Sequence, residues 1–485
     1  MTEGSGTNIR GYAGLVAGPV VFAVMLLTAP PEGMALLAWR TAAVGAFMAI
    51  WWITEAIPIA ATALLPIVLF PLLGIATVAE ATAPYSNPVI YLFLGGFLIA
   101  MALESCGLHR RMAVAILGVV GTRPANLILG FMIATAFISM WVSNTASVVM
   151  MLPMATSVIA LARGAGEAPR DAEGRAFDGA LLLGVAYAAS IGGLGTLIGT
   201  PPNALLAGFM SQTYGVDISF LEWMLFGVPI VVIGVPFAWL LLTKWLHRLG
   251  SEPIAGGSAM LDEERRVLGP ITRAEWTVGA IAALTALAWV TSPIIERRIP
   301  AVTDAGIAIA GALLMFIVPL ALRPRRVALT WAQAERLPWS VLILFGGGLS
   351  LAAAIQDTGL AAWIGGGLGA LAGWPVFAVL VAVTAVVILL SELASNTATA
   401  AAFLPVAASL AVAIGADPML LTLTTALAAS GGFMLPVATP PNALVYGTGA
   451  LTIPQMAKAG IWLNLFFVAL IPLIVYLLAA RIFAM

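Results

Sequence analysis

The sequence predicts an all-α polytopic membrane protein of about 11 transmembrane helices plus two re-entrant hairpins, arranged as an inverted repeat. Three observations carry that prediction. Of 485 residues, 61% are hydrophobic and only 9% are charged, and apolar stretches of about 20 residues, long enough to cross ~30 Å of hydrocarbon, recur along the whole chain. Two of those stretches hold a polar Ser-Asn-Thr where a spanning helix should be most apolar, at Ser143-Asn144-Thr145 and Ser395-Asn396-Thr397. Each is followed downstream by the same Thr-Pro-Pro-Asn, at 200–203 and 439–442.

Composition excludes several classes of function. No hydrophilic block is long enough to fold as a soluble catalytic domain. The net charge of −1 averages an uneven distribution and gives no reason to expect nucleic acid. Cys106 is the single cysteine, so neither an intrachain disulfide nor a CxxC site can form, and His109 and His247 are too few and too far apart for a metal cage. The first apolar run lacks a small-residue cleavage site after it and is expected to stay as a helix rather than leave as a signal peptide.

Spanning segments are expected near 12–29, 35–52, 57–75, 88–107, 178–211, 222–246, 276–294, 304–322, 339–357, 417–449 and 459–484. The stretches 124–162 and 374–414 are expected to be re-entrant hairpins, each of two half-helices meeting at a Ser-Asn-Thr tip. Non-helical backbone survives at membrane depth only when buried in protein or lining a cavity. With the N-terminus cytoplasmic, all but four of the 21 Lys and Arg fall inside, the exceptions being Arg40, Arg297, Arg298 and Arg481. One missed span would swap the sides of everything after it, so the imbalance supports the segment assignment. It also places the C-terminus outside.

The chain repeats itself. A shift of 252 aligns Phe93 with Phe345, Gly95-Gly96 with Gly347-Gly348, Ser139 with Ser391 and the two Ser-Asn-Thr tips. The register then drops to 239, aligning Gly192-Gly193 with Gly431-Gly432 and 200–205 with 439–444. The charged loop around Arg163–Asp178, which the second copy lacks, absorbs the difference. Five expected spans separate the tips, an odd number, so the copies have opposite orientations. Inverted repeats with broken helices at the midplane are the mark of secondary transporters.

These residue types suit small ions. A hairpin tip frees N–H groups at one half-helix and carbonyls at the other; the N–H end favours carboxylate oxygens and the carbonyl end a small cation. Ser, Thr and Asn add neutral oxygens of the kind hard cations prefer. Ser139 and Ser391 lie one helical turn before the tips, so their hydroxyls can face the same cation. The proline pairs are expected to break the crossing helices, exposing the carbonyls of Gly199 and Ala438 beside Thr200 and Thr439. A lone Ser-Asn-Thr in a membrane helix is more often interhelical hydrogen-bonding glue than a ligand site, and a lone Thr-Pro-Pro more often a kink. Two copies of both, in register with paired glycines, weigh against that reading. Glu392, beside the second tip, is either a functional group or a partner fixing the hairpin; its counterpart is Met140. Glu55 and Glu104 read as structural, the tryptophans at Trp51-Trp52 and Trp339 as interfacial belts, and the glycine runs as close helix packing.

Together the doubled Ser-Asn-Thr, the two Thr-Pro-Pro-Asn breaks and the stretch Trp51-Trp52-Ile53-Thr54-Glu55-Ala56-Ile57-Pro58 resemble the divalent anion/sodium symporter family, over nearly the whole chain. That resemblance implies an elevator-type transporter and a homodimer, with scaffold parts at 1–120 and 250–370 and transport parts at 121–249 and 371–485. It implies substrate contacts at Asn144, Thr145, Thr200, Pro201, Asn396, Thr397, Thr439 and Pro440. A first sodium site would fall on Ser139, Ser143, Asn144 and Gly199, and a second on Ser391, Ala394, Ser395, Asn396 and Ala438. Ser391 stands where Thr is common in the family, which keeps the hydroxyl.

The expected function is therefore sodium-coupled symport of a C4-dicarboxylate such as succinate, malate or fumarate across a bacterial inner membrane, with Na⁺ as coupling ion and no enzymatic activity. Because no Lys or Arg is expected near either motif, co-bound cations and helix N-termini would have to neutralise a dianion. A sodium-independent exchanger and a citrate or sulfate symporter are the alternatives. An antiporter would need a paired acidic site, an intramembrane enzyme a nucleophile and base, and both are missing.

Overall fold

Prolines and glycines decide where the helices of this chain stop. The computed structural model describes residues 9–162, 172–247, 249–254, 256–322, 325–367 and 373–483. Arg163, Arg170, Arg248 and Arg323, four of the charges counted toward the topology, lie outside the described residues. The N-terminal helices Ile9–Leu27 and Leu36–Thr54 pack along one another. The second ends at Glu55, the one non-glycine residue among those described with positive φ (49°), whose N–H donates to the Trp51 carbonyl. Trp52, expected in an interfacial belt, is instead fully buried, and its indole donates to the Ile59 carbonyl at 3.1 Å. Trp339 is 41% exposed, as a belt residue should be.

Among the described residues, ten helices are long and apolar enough to cross a membrane. They differ from the predicted set in a way that breakers explain. The stretch 57–75 forms two short helices, Ile59–Thr62 and Leu65–Leu72, because Pro58 and Pro66 each open a new one. The stretch 304–322 stops as a helix at Ile317; Val318, forced toward extended geometry by Pro319, leads into a two-stranded antiparallel ribbon of Pro319–Leu322 and Arg325–Val327. The fold is thus not purely helical. The two returning hairpin arms, by contrast, pass the length test themselves.

Both predicted hairpins are present as helix, break, helix. Pro124–Ser139 and Asn144–Ala162 flank the first tip, and Val376–Ser391 and Asn396–Ala413 flank the second. The arms of each pair pack together. The crossing helices are also broken. Ala172–Gly193 resumes as Pro201–Tyr214, and Pro418–Ala429 resumes as Pro440–Tyr446. The prolines do not make these breaks. They sit at the first helical positions after them, where an absent N–H removes no intrahelical bond. The chain has already unwound at Gly193 and at Ser430.

The two repeats interlock around these breaks. Pro201–Tyr214 packs on Asn396–Ala413 and Pro418–Ala429, while Pro440–Tyr446 packs on Asn144–Ala162 and Ala172–Gly193. Each Thr-Pro-Pro-Asn helix therefore lies against the Ser-Asn-Thr helix of the other half. Glycines permit the close approaches the sequence suggested. A Cβ at Gly95 would lie 2.6 Å from backbone of Ala308, and one at Gly347 would lie 2.2 Å from the Ala63 carbonyl oxygen. Away from the site, buried Glu275 receives Arg111 at 2.8 Å, and the same guanidinium donates to the Gly269 carbonyl, tying Leu108–Val120 to Arg273–Glu296.

Candidate ion-binding sites at the hairpin tips

The same small construction appears in each half. Ser139 is fully buried, and its hydroxyl oxygen lies 2.7 Å from Asn144 Oδ1 and 2.8 Å from the Ala189 carbonyl. Ser391, equally buried, lies 2.8 Å from Asn396 Oδ1 and also meets the Ala429 carbonyl. A serine hydroxyl carries one proton, so it can satisfy only one of two acceptor oxygens. The second copy extends the cluster. The Asn396 amide atom that faces Ser391 also lies 3.1 Å from the Ala429 carbonyl and 3.2 Å from the Ala438 carbonyl. With nitrogen there, its two protons and the serine proton satisfy the three oxygens; with oxygen there, the group is a nest of neutral oxygens with no donor but the serine proton. Such a nest is a ligand set for a small hard cation.

The breaks are braced alike. Asn203 Nδ2 donates to the carbonyls of Gly193 at 3.0 Å and Thr196 at 2.8 Å. Asn442 Nδ2 donates to the carbonyls of Gly432 at 3.4 Å and Leu435 at 3.1 Å. The spacing, ten and seven residues upstream, is the same in both. Each amide oxygen is buried without a partner. The glycines at the break make room for the tip: a Cβ on Gly193 would lie 2.3 Å from Asn144 Oδ1, and one on Gly192 would lie 2.4 Å from the Ala136 carbonyl oxygen. Gly199 is pressed onto the same segment, since its Cβ would fall 2.4 Å from the Gly193 carbonyl oxygen.

The remaining residues of the expected site distribute unevenly. Thr200, Thr397 and Thr439 are buried, Pro201, Ser143, Ser395, Asn144 and Asn396 are half-buried, and Thr145 and Pro440 are exposed. Thr439 Oγ1 accepts from Asn442 N as a helix cap at 3.2 Å, whereas Thr200 makes no such cap. Ser143 Oγ accepts from Ala146 N. Ala394 is buried at the second tip.

Glu392 and four further residues act here in ways the sequence did not assign. The Glu392 carboxylate receives the backbone N–H groups of Phe433, Met434 and Leu435 at 2.7, 2.8 and 3.0 Å, and Asn464 Nδ2 at 2.7 Å. It is 4% exposed and fixes the unwound segment, the structural one of the two roles considered. Asn464 lies in the last helix, with nothing in its surroundings to announce this partner. Asn203 and Asn442 stood in plain view within the repeated motif. The fourth is a correction: Arg10 donates to the carbonyl of Leu393, inside the second tip, and to that of Ile53. A cation does stand beside one motif, brought there from the far end of the chain.

Against this geometry, a family model described as the sodium:sulfate symporter transmembrane region matches residues 10–484. The chain belongs to the sodium:sulfate symporter family. Curated relatives include proteins named sodium-dependent dicarboxylate transporter SdcS from Staphylococcus aureus strains USA300 and NCTC 8325 / PS 47, each 42% identical over 468 residues, covering 96% of this chain and 90% of theirs. Among solved structures, the YdaH transporter of Alcanivorax borkumensis aligns with a TM-score of 0.56 at 17% identity, over 81% of this chain and 85% of that one. That likeness bears on the fold alone. Membership of the symporter family makes the chain a transporter, not an enzyme.

Proposed function

We propose that this chain imports a C4-dicarboxylate together with sodium, the oxygen nests at Ser139–Asn144 and Ser391–Asn396 each holding one Na⁺ and the tips between them holding the dianion. The observation that carries the reading is the duplicated cluster, in which a fully buried serine hydroxyl meets an asparagine amide and a backbone carbonyl at each tip. The printed name of the SdcS relatives, sodium-dependent and dicarboxylate, supports it independently. A cation bound there, with the asparagine oxygen turned toward it, offers charge to a carboxylate, so each ligand makes a site for the other. Substrate contacts would fall on Asn144, Thr145, Thr200, Pro201, Asn396, Thr397, Thr439 and Pro440, with Ser143, Gly199, Ala394, Ser395 and Ala438 completing the cation sites.

In this reading, 1–120 and 250–370 are a fixed scaffold, and 121–249 and 371–485 move as an elevator within a homodimer. The protein sits in a bacterial inner membrane with its N-terminus cytoplasmic and its C-terminus outside. Radiolabelled succinate uptake into proteoliposomes tests the function. Uptake should vanish when external sodium is replaced by potassium; uptake that continues unchanged, driven only by internal succinate, would make the protein an exchanger. A sulfate arm in the same assay decides whether the family's printed substrate applies instead.

A further inference from the structure

The guanidinium of Arg10 stands where helix stabilisation does not explain it. It lies in the first turn of Ile9–Leu27, the end at which the helix dipole disfavours positive charge. It makes no ion pair among the described residues. Its partners are the backbone carbonyls of Ile53 and Leu393. Beside it lies a cavity of about 390 Å³, lined among others by Leu390, Leu393, Ala394 and Thr399. Thr399 is 2% exposed, and its hydroxyl has no hydrogen-bond partner. This threonine is three residues beyond Asn396, so the cavity adjoins the second tip directly. The first tip has a cavity in the corresponding place, lined by Ile138, Trp141 and Val142, the repeat counterparts of Leu390, Leu393 and Ala394. It contains no charged residue.

We propose that Arg10 and Thr399 form a carboxylate-binding station beneath the second tip, where the transported dianion docks before entering, or after leaving, the central pocket on the face that carries the N-terminus. The inference rests on the proposed dicarboxylate transport. A carboxylate binds an arginine fork more strongly than two separate neutral carbonyls do, because it adds a full opposite charge and pairs with the fork through two parallel hydrogen bonds. An arriving carboxylate therefore takes the guanidinium from the Leu393 and Ile53 carbonyls, and the Thr399 hydroxyl gains the acceptor it lacks. Because the first tip carries no such charge, the station serves one face only.

The test is succinate transport in orientation-sorted proteoliposomes of phosphatidylcholine, sided by accessibility of an N-terminal tag. Sodium-dependent uptake by the unaltered protein is measured first, and its absence would overturn the proposed function rather than this inference. Arg10→Gln should raise KM for succinate presented to the N-terminal face about tenfold, the loss of ~1.4 kcal/mol of binding, with KM at the opposite face and KM for sodium within about twofold. Arg10→Lys should recover most of the loss. Thr399→Val should raise the same KM about threefold, which keeps the proposal open to test if the arginine variant misfolds. Equal KM changes at both faces would overturn it. So would a fall in Vmax at unchanged KM, which would make Arg10 a tether between Ile53 and Leu393. A shift seen only when anionic lipid is added would assign the guanidinium to a phosphate headgroup.

Discussion

The two hairpin tips share a plan and differ in what holds them. At the first, Trp141 stacks on Phe220 with ring centroids 6.1 Å apart, and Phe220 stacks on Trp289 at 4.6 Å. At the second, Leu393 and Ala394 replace the bulk, and the Glu392 carboxylate gathers four donors from the unwound segment and the last helix. One tip is fastened by apolar surface and the other by charge and backbone dipoles. The difference shows what the repeat conserves within the chain: the serine, the asparagine and the carbonyls are duplicated, while their fastenings are free to change.

Substitutions at the duplicated residues should have the largest effect. Asn144→Ala and Asn396→Ala are each expected to reduce sodium-driven succinate uptake by about 100-fold or more while insertion and size-exclusion behaviour stay normal, since each would remove an oxygen from a proposed cation site. Wild-type uptake in either would break the equivalence of the two nests.

Glu392 and Met140, which occupy the same repeat position, should then separate the tips. Glu392→Ala leaves one buried and two partly buried N–H groups without an acceptor, at up to roughly 1–3 kcal/mol each, and should lower the melting temperature and abolish uptake. Met140→Leu, a change of shape at nearly constant volume, should alter stability by less than about 1.5 kcal/mol. A Glu392→Ala protein as stable as the unaltered one would mean the carboxylate does not hold the break.

Glycine substitutions grade the crowding. Gly193→Ala drives a methyl into the Asn144 amide, whereas Gly432→Ala meets the Ala438 methyl at 3.0 Å. The first should raise the sodium KM by about tenfold or more and the second by only a few-fold, within the 1–3 kcal/mol typical of overpacking. The aromatic fastening should affect transport least. Trp141→Leu should weaken folding by about 0.5–1.5 kcal/mol beyond its lost area, measured by thermal melting, with sodium coupling intact.

Much of this was legible in the sequence because the membrane makes polar residues conspicuous. Ser139, Asn144, Ser391 and Asn396 could be found by their repetition alone, and their pairing in space follows from the short break that joins the last residue of one half-helix to the first of the next. The limits of the helices were less legible. The sequence pointed to the proline pairs as the breaks, but a proline at the start of a helix is as comfortable as one that ends it, and the glycines upstream had already released the chain. Arg10 was out of reach, since nothing local links a residue in the first helix to a carbonyl 383 positions away. Glu392 could be singled out but not assigned, because a buried carboxylate reads alike whether it serves a ligand or a loop.

The asparagine braces carry a consequence for energetics. A gap in a helix is ordinarily a soft joint, yet Asn203 and Asn442 each cross-link theirs to two carbonyls and so turn it into a stiff elbow. Little conformational freedom is then left for an arriving ion to quench, and its binding energy stays available to shift the balance between the two faces of the membrane.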